Sequence, residues 1–126
     1  MVMKRRQFML AAAAGAAMPA WAQTAEAAFP SKPVTIVVPY VAGGLTDILG
    51  RVSAPRLAEK WGKIVLVDNQ PGGGTTIGTG LVARAPGDGH TLLLTAFGYI
   101  GNQLMLPQLP YDPKALVPLA NMASSP

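Results

Sequence analysis

Residues 34–47 read VTIVVPYVAGGLTD. A short run rich in β-branched residues is stopped by Pro39 and then by Gly43-Gly44, after which Thr46-Asp47 offers a helix start. The pattern predicts a strand, a tight loop and a helix N-terminus. Such a junction turns free backbone N–H groups and the positive end of a helix dipole toward one spot, which suits a small anion. A second junction of the same kind follows at residues 65–78, VLVDNQPGGGTTIG. Two such mouths close together point to a protein that holds an anion without transforming it.

Beyond the first loop, Ile48, Leu49, Val52, Leu57 and Trp61 recur at roughly helical spacing, with Arg51, Arg56, Glu59 and Lys60 between them. This predicts an amphipathic helix, kinked or broken near Val52 because Pro55 lacks an N–H, and stopped at Gly62. Residues 64–67 form a second short apolar run, and a helix is expected over 76–85. Pro86-Gly87-Asp88-Gly89 marks a turn. A third strand is expected over 91–95, a short helix over 99–106 and a final strand over 116–122. Strands alternating with helices predict a parallel α/β half-sheet. In open sheets of this type ligands sit beyond the carboxyl ends of the strands. The glycines at 43–44 and 72–74, and residues 96–98, all fall at that edge.

Composition narrows the function. Half of the 126 residues are hydrophobic and 13% are charged, enough for a buried core. There is no cysteine, which excludes disulfides and thiolate chemistry. The formal charge of +4 falls to +1 without Lys4, Arg5 and Arg6, and the seven other basic residues are scattered. No nucleic-acid partner is therefore expected. Residues 1–22 run from a basic start through an apolar stretch broken at Pro19 to Ala20-Trp21-Ala22, the order of a secretory signal peptide. Arg5-Arg6-Gln7-Phe8-Met9 also resembles a twin-arginine export signal. The apolar stretch is shorter than the roughly 20 residues that span a bilayer. A soluble exported chain starting near Gln23 is expected, with residues 23–126 forming one α/β domain at most.

The candidate chemistry is that of binding. Neither glycine loop carries the Gly-Lys-Ser/Thr of a phosphate loop or a Gly-x-Gly-x-x-Gly after the first strand. Thr46 and Asp47 are expected to cap the first helix. Asp47 has no histidine or second carboxylate at a spacing suited to acid–base work. His90, the only histidine, is expected at the surface and cannot build a usual zinc site without cysteine. The spacing of Gly74 and Gly78 fits close packing of a helix start on a strand. No catalytic residue, metal site or cofactor is expected.

Four segments together resemble one family, the Bug-type periplasmic solute receptors of tripartite tricarboxylate transporters. They are FPSKPVTIVVPYVAGGLTD (29–47), VDNQPGGGTTIG (67–78), APGDGHTLLL (85–94) and LPYDP (109–113). The resemblance implies a two-domain Venus-flytrap fold of the periplasmic-binding-protein type, of which this chain would be a partial first lobe with the second lobe missing. It also implies capture of a small carboxylate in the cleft and delivery to membrane permease subunits, by a receptor expected to be monomeric at full length. Carried over by motif position, the ligand-binding candidates are Tyr40, Gly43, Gly44, Thr46 and Asp47 in the first loop. Gly72, Gly73, Gly74, Thr75 and Thr76 in the second loop and Ala96-Phe97 at the third exit join them. Thr75 stands where a glycine is common in the family, a substitution that matters if the position needs positive φ. The alternatives are half of an exported α/β enzyme acting on an anionic substrate, and a non-functional remnant.

Overall fold

The structure, a computed structural model, describes residues 28–124. The signal peptide expected over 1–22 lies outside the described residues. Three strands, β1 (Val34–Val38), β2 (Val65–Asn69) and β3 (Thr91–Leu93), form one parallel sheet in the order β2-β1-β3. β1 is the central strand, with Val34 facing Val65 and Val38 facing Asn69 on one side, and Thr35 facing Thr91 on the other. Its centrality explains its sequence. Val34, Ile36, Val37 and Val38 are all buried, as expected for a parallel strand covered on both faces.

Helix α1 (Leu45–Trp61) packs on β1 and β2. Its buried face is Asp47, Gly50 and Ala54, a spacing of three and four residues. Gly50 lets the helix approach closely, since a Cβ there would meet Leu94 Cδ2 at 3.3 Å and Val67 Cγ1 at 3.4 Å. Of the kink or break expected near Val52, no break occurs: α1 runs through Pro55 to a C-cap at Gly62 with φ +63. Pro55 lies on the exposed side, so the missing bond falls where water can serve the orphaned carbonyl. The helix is held by small residues instead of the large apolar stripe. Ile48 and Val52 are exposed, while Leu49, Leu57 and Trp61 are half-buried.

Helix α2 (Thr76–Ala83) follows a short 3₁₀ turn (Gly73–Thr75) and packs on β1 and β3. It ends two residues before the expected limit. Gly78 is the close contact foreseen: a Cβ there would lie 2.7 Å from the Gln70 carbonyl oxygen and 2.9 Å from Pro39 Cβ. Helix α3 (Phe97–Met105) begins two residues earlier than expected, directly at the β3 exit. His90 is buried, not a surface residue; its ring lies tilted against Phe29 with centroids 5.1 Å apart, and Phe29 meets Trp61 edge-on at 5.6 Å. This aromatic cluster covers the amino end of the sheet.

The strand expected over 116–122 is not formed, and those residues are irregular. Pro118 lacks the N–H a ladder needs, and Val117 and Leu119 are three-quarters exposed. The segment runs beside the free edge of β3, separated from it by a cavity of about 1330 Å³ lined by Leu92, Leu94, Leu57, Trp61 and Ile100. Its lining is mainly apolar, and it reaches Leu45, Thr46 and Ala96 at the carboxyl edge.

Candidate functional site

Parallel strands leave the sheet at the same end, so the loops after β1, β2 and β3 share one edge. Side-chain bonds join them. The Ala96 N–H donates to Tyr40 Oη at 3.3 Å, tying the third exit to the first. Asn69, the last residue of β2, donates from Nδ2 to the Tyr40 carbonyl at 3.3 Å and to Asp47 Oδ1 at 3.0 Å. Asn102 on α3 donates from Nδ2 to the Gly74 carbonyl at 2.7 Å and to Thr75 Oγ1 at 3.0 Å. The result is a continuous rim of backbone along the carboxyl edge.

Within the first loop, Gly43 has φ +89, and Gly44 is the N-cap of α1 with no side-chain cap bond. Neither Thr46 nor Asp47 is therefore the N-cap residue. Asp47 lies in the first turn and reaches back, where its Oδ2 accepts from the Gly43 N–H at 2.8 Å. The same oxygen accepts from Arg51 Nε at 2.9 Å. Asp47 is 2% exposed. The Arg51 guanidinium, the Gly43 amide and the Asn69 amide hold its carboxyl at about 2, below the usual 3.8 and against the opposing effect of burial. Its charge is thus spent inside the loop and does not face the rim. The first intrahelical bond of α1 is Ile48 N–H to the Gly44 carbonyl at 3.0 Å. The N–H groups of Leu45, Thr46 and Asp47 precede it and have no intrahelical acceptor, so they form the positive end of the helix dipole.

In the second loop, Gly72, Gly73 and Gly74 all have positive φ (+119, +57 and +61) and are exposed. Thr75, the position where glycine was expected to be favoured, does take a left-handed conformation, at φ +79. Its N–H closes a turn on the Gly72 carbonyl at 3.0 Å, and Thr76 Oγ1 donates to the Gly73 carbonyl at 2.8 Å. These two groups hold the loop's shape. Thr75→Gly should change stability by less than about 0.5 kcal/mol, because relief of left-handed strain offsets the lost hydroxyl bond and added chain freedom. Thr75→Val keeps the strain and loses the bond, so urea unfolding should show a loss of about 1–2 kcal/mol.

At the third exit Ala96 and Phe97 are exposed, and Thr95 Oγ1 lies buried without a hydrogen-bond partner among the described residues. The sequence-based list thus splits into two groups. Gly44, Thr46, Gly72, Gly73, Gly74, Ala96 and Phe97 lie along the accessible rim, while Tyr40, Gly43, Asp47, Thr75 and Thr76 brace it. Asn69 and Asn102 were missed as site residues. Asn69 stood inside a quoted motif, but a lone asparagine carries no spacing signal. Among the described residues no group of three or more His, Cys, Asp or Glu could hold a metal ion, and no helix is long and apolar enough to cross a membrane.

Comparison with known proteins gives this rim a context. The family model described as "Tripartite tricarboxylate transporter family receptor" matches residues 49–126. A UPF0065 protein from the tcbD–tcbE intergenic region of Pseudomonas sp. (strain P51) is 41% identical over 100 residues, covering 79% of this chain and 30% of that protein. Protein BugT of Bordetella pertussis is 38% identical over 119 residues, covering 91% of this chain and 35% of BugT. The fold superposes on R. palustris Rpa4515 with adipate at a TM-score of 0.64 and 38% identity. It also superposes on MatC of Rhodopseudomonas palustris with bound malate at 0.63 and 35% identity. Each of these two matches covers 68% of this chain and 29% of the neighbour. The architecture is that of one lobe of a periplasmic binding protein, and the chain spans about a third of the length of the curated relatives it matches. With family model, relatives and fold in agreement, the chain belongs to the Bug-type receptors of the tripartite tricarboxylate transporter family.

Proposed function

We propose that this chain forms part of an exported receptor that captures a small carboxylate and delivers it to the permease subunits of a tripartite tricarboxylate transporter. The observation that carries the reading is the single rim at the carboxyl edge, where the N-terminus of α1 and the glycine-rich second loop offer main-chain N–H groups. A carboxylate seated there accepts from backbone donors, as anions do at helix N-termini. Gly44, Thr46 and Gly72 to Gly74 supply the contact surface, with Ala96 and Phe97 at its border. Asp47 does not compete, because its own charge is neutralised within the loop. The adipate and malate of the two solved neighbours are small carboxylates, which supports the same class here. A second lobe closing over the rim completes the grip. Residues 1–22 act as the export signal, which places the receptor in the periplasm, and the site performs no chemistry.

Thermal-shift screening of the receptor carrying this chain tests the reading with dicarboxylates, tricarboxylates, aromatic acids and neutral sugars. A ligand present at 100 times its Kd adds about 2.7 kcal/mol to stability. One class of carboxylates should raise the melting temperature. Stabilisation by neutral sugars alone would overturn the proposal.

A further inference from the structure

We propose that Asn69 and Asn102 are positioning residues, two amide staples that hold the three strand exits at the spacing a carboxylate needs. The inference rests on the binding reading above and concerns how that site is kept in shape. Asn69 uses its whole amide. Nδ2 serves the Tyr40 carbonyl and Asp47 Oδ1, while Oδ1 accepts from Arg51 Nη2 at 3.0 Å. One side chain at the end of β2 therefore fixes both ends of the first loop and the arginine that neutralises Asp47. Asn102 does the equivalent for the second loop, gripping Gly74 and Thr75 from α3. The ladder does not need these amides. The β1–β2 pairing closes by backbone, with Gln70 N–H donating to the Val38 carbonyl at 2.8 Å.

The electrostatics give Asn69 a second task. An ionised carboxylate in the first turn of α1 repels any anion brought to that helix end. Asn69 and Arg51 keep both Asp47 oxygens engaged and turned inward. An isosteric aspartate at position 69 removes two donated hydrogens and places like charge beside Asp47, with Arg51, whose Nη2 lies 3.0 Å from the Asn69 oxygen, left to serve both carboxylates.

The test measures binding of adipate, used as a probe, by calorimetry at neutral pH. Asn69→Asp is compared with wild type and with Asn69→Leu, which removes the amide without adding charge. Asn69→Asp should bind roughly tenfold more weakly than wild type, the scale seen for outer partners that orient ligating groups. Asn69→Leu should lose less, because no like charge then stands beside Asp47. Equal deficits in the two variants that match their loss of thermal stability would overturn the proposal, as would wild-type binding by Asn69→Asp. Asn102→Ala supplies an independent arm, read by amide hydrogen exchange. Faster exchange across residues 72–76 with β-strand amides unchanged supports the staple, and unchanged exchange there refutes it. Wild-type protein that binds no carboxylate would instead defeat the functional reading, with the exchange arm still deciding the role of the staple.

Discussion

Replacing Gly78 by alanine is expected to destabilise the fold by about 2–3 kcal/mol, the upper range for overpacking a filled interior. The added methyl would lie 2.7 Å from the Gln70 carbonyl oxygen, 2.9 Å from Pro39 Cβ and 3.1 Å from Pro39 Cα. Two of these atoms are main chain, at the exits of β2 and β1, and neither can swing aside as a side-chain end does. Relief requires α2 to lift from the sheet or the two exits to part. Either movement widens the rim, so carboxylate binding should be lost together with stability. The contrast is Gly87→Ala, where nothing lies within 4 Å of the added atom and urea unfolding should be unchanged.

Asp47→Ala should have the second large effect, and it should fall on binding more than on folding. Without the carboxylate, the Gly43 N–H and Arg51 Nε lose their common acceptor and Asn69 loses one of its partners. The first loop is then tied only by the Asn69 bond to the Tyr40 carbonyl and by the Tyr40–Ala96 contact. Affinity for a carboxylate should fall about tenfold to a hundredfold, the scale for groups that orient a binding shell. The pH dependence has a definite sign. The folded chain holds Asp47 ionised at about 2 against an ordinary 3.8, so its contribution is complete above the ordinary value and is lost as pH falls toward 2. Asp88 behaves alike, held at about 2 by Lys32 and the His90 amide. Acid unfolding followed by circular dichroism should therefore steepen between about pH 4 and pH 2. Asp47→Ala should remove part of that steepening and leave the Asp88 share in place. An unchanged acid profile would show that the Asp47 bonds do not persist in solution.

The fold was largely legible because β1 states its environment in its own residues. Four buried apolar side chains in a five-residue strand, followed by Pro39 and two glycines, leave few places in an α/β sheet other than its centre. The second and third junctions followed the same grammar, and Gly78 announced a close contact by its spacing. What sequence reasoning misjudged were balances between local and tertiary preference. Pro55 argued for a break, but α1 is held on its other side by Gly50 and Ala54 against the sheet, and packing outweighed the lost bond. Residues 116–122 have a strand's composition, yet a strand exists only where a partner edge is engaged, and here the gap to β3 stays open.

The site was legible as a place more than as a set of roles. Glycines with positive φ and a helix start could be read from residues 43–47 and 72–76. The bonds that unite them span 22 to 56 positions of sequence, as between Asn69 and Asp47 or Ala96 and Tyr40, and no local pattern encodes them. Asp47 shows the consequence. By motif it sits among ligand contacts, and in the structure three donors from Gly43, Arg51 and Asn69 engage its carboxylate.

The most direct measurement is an amide chemical-shift titration of the isotope-labelled receptor with adipate and malate. The account predicts that the largest shifts fall on the N–H groups of Gly44, Leu45 and Thr46 and of residues 72–74, with the amino-edge cluster of Phe29, Trp61 and His90 unmoved. Shifts centred on that cluster or on the apolar cavity beside β3, with the two glycine loops silent, would contradict it.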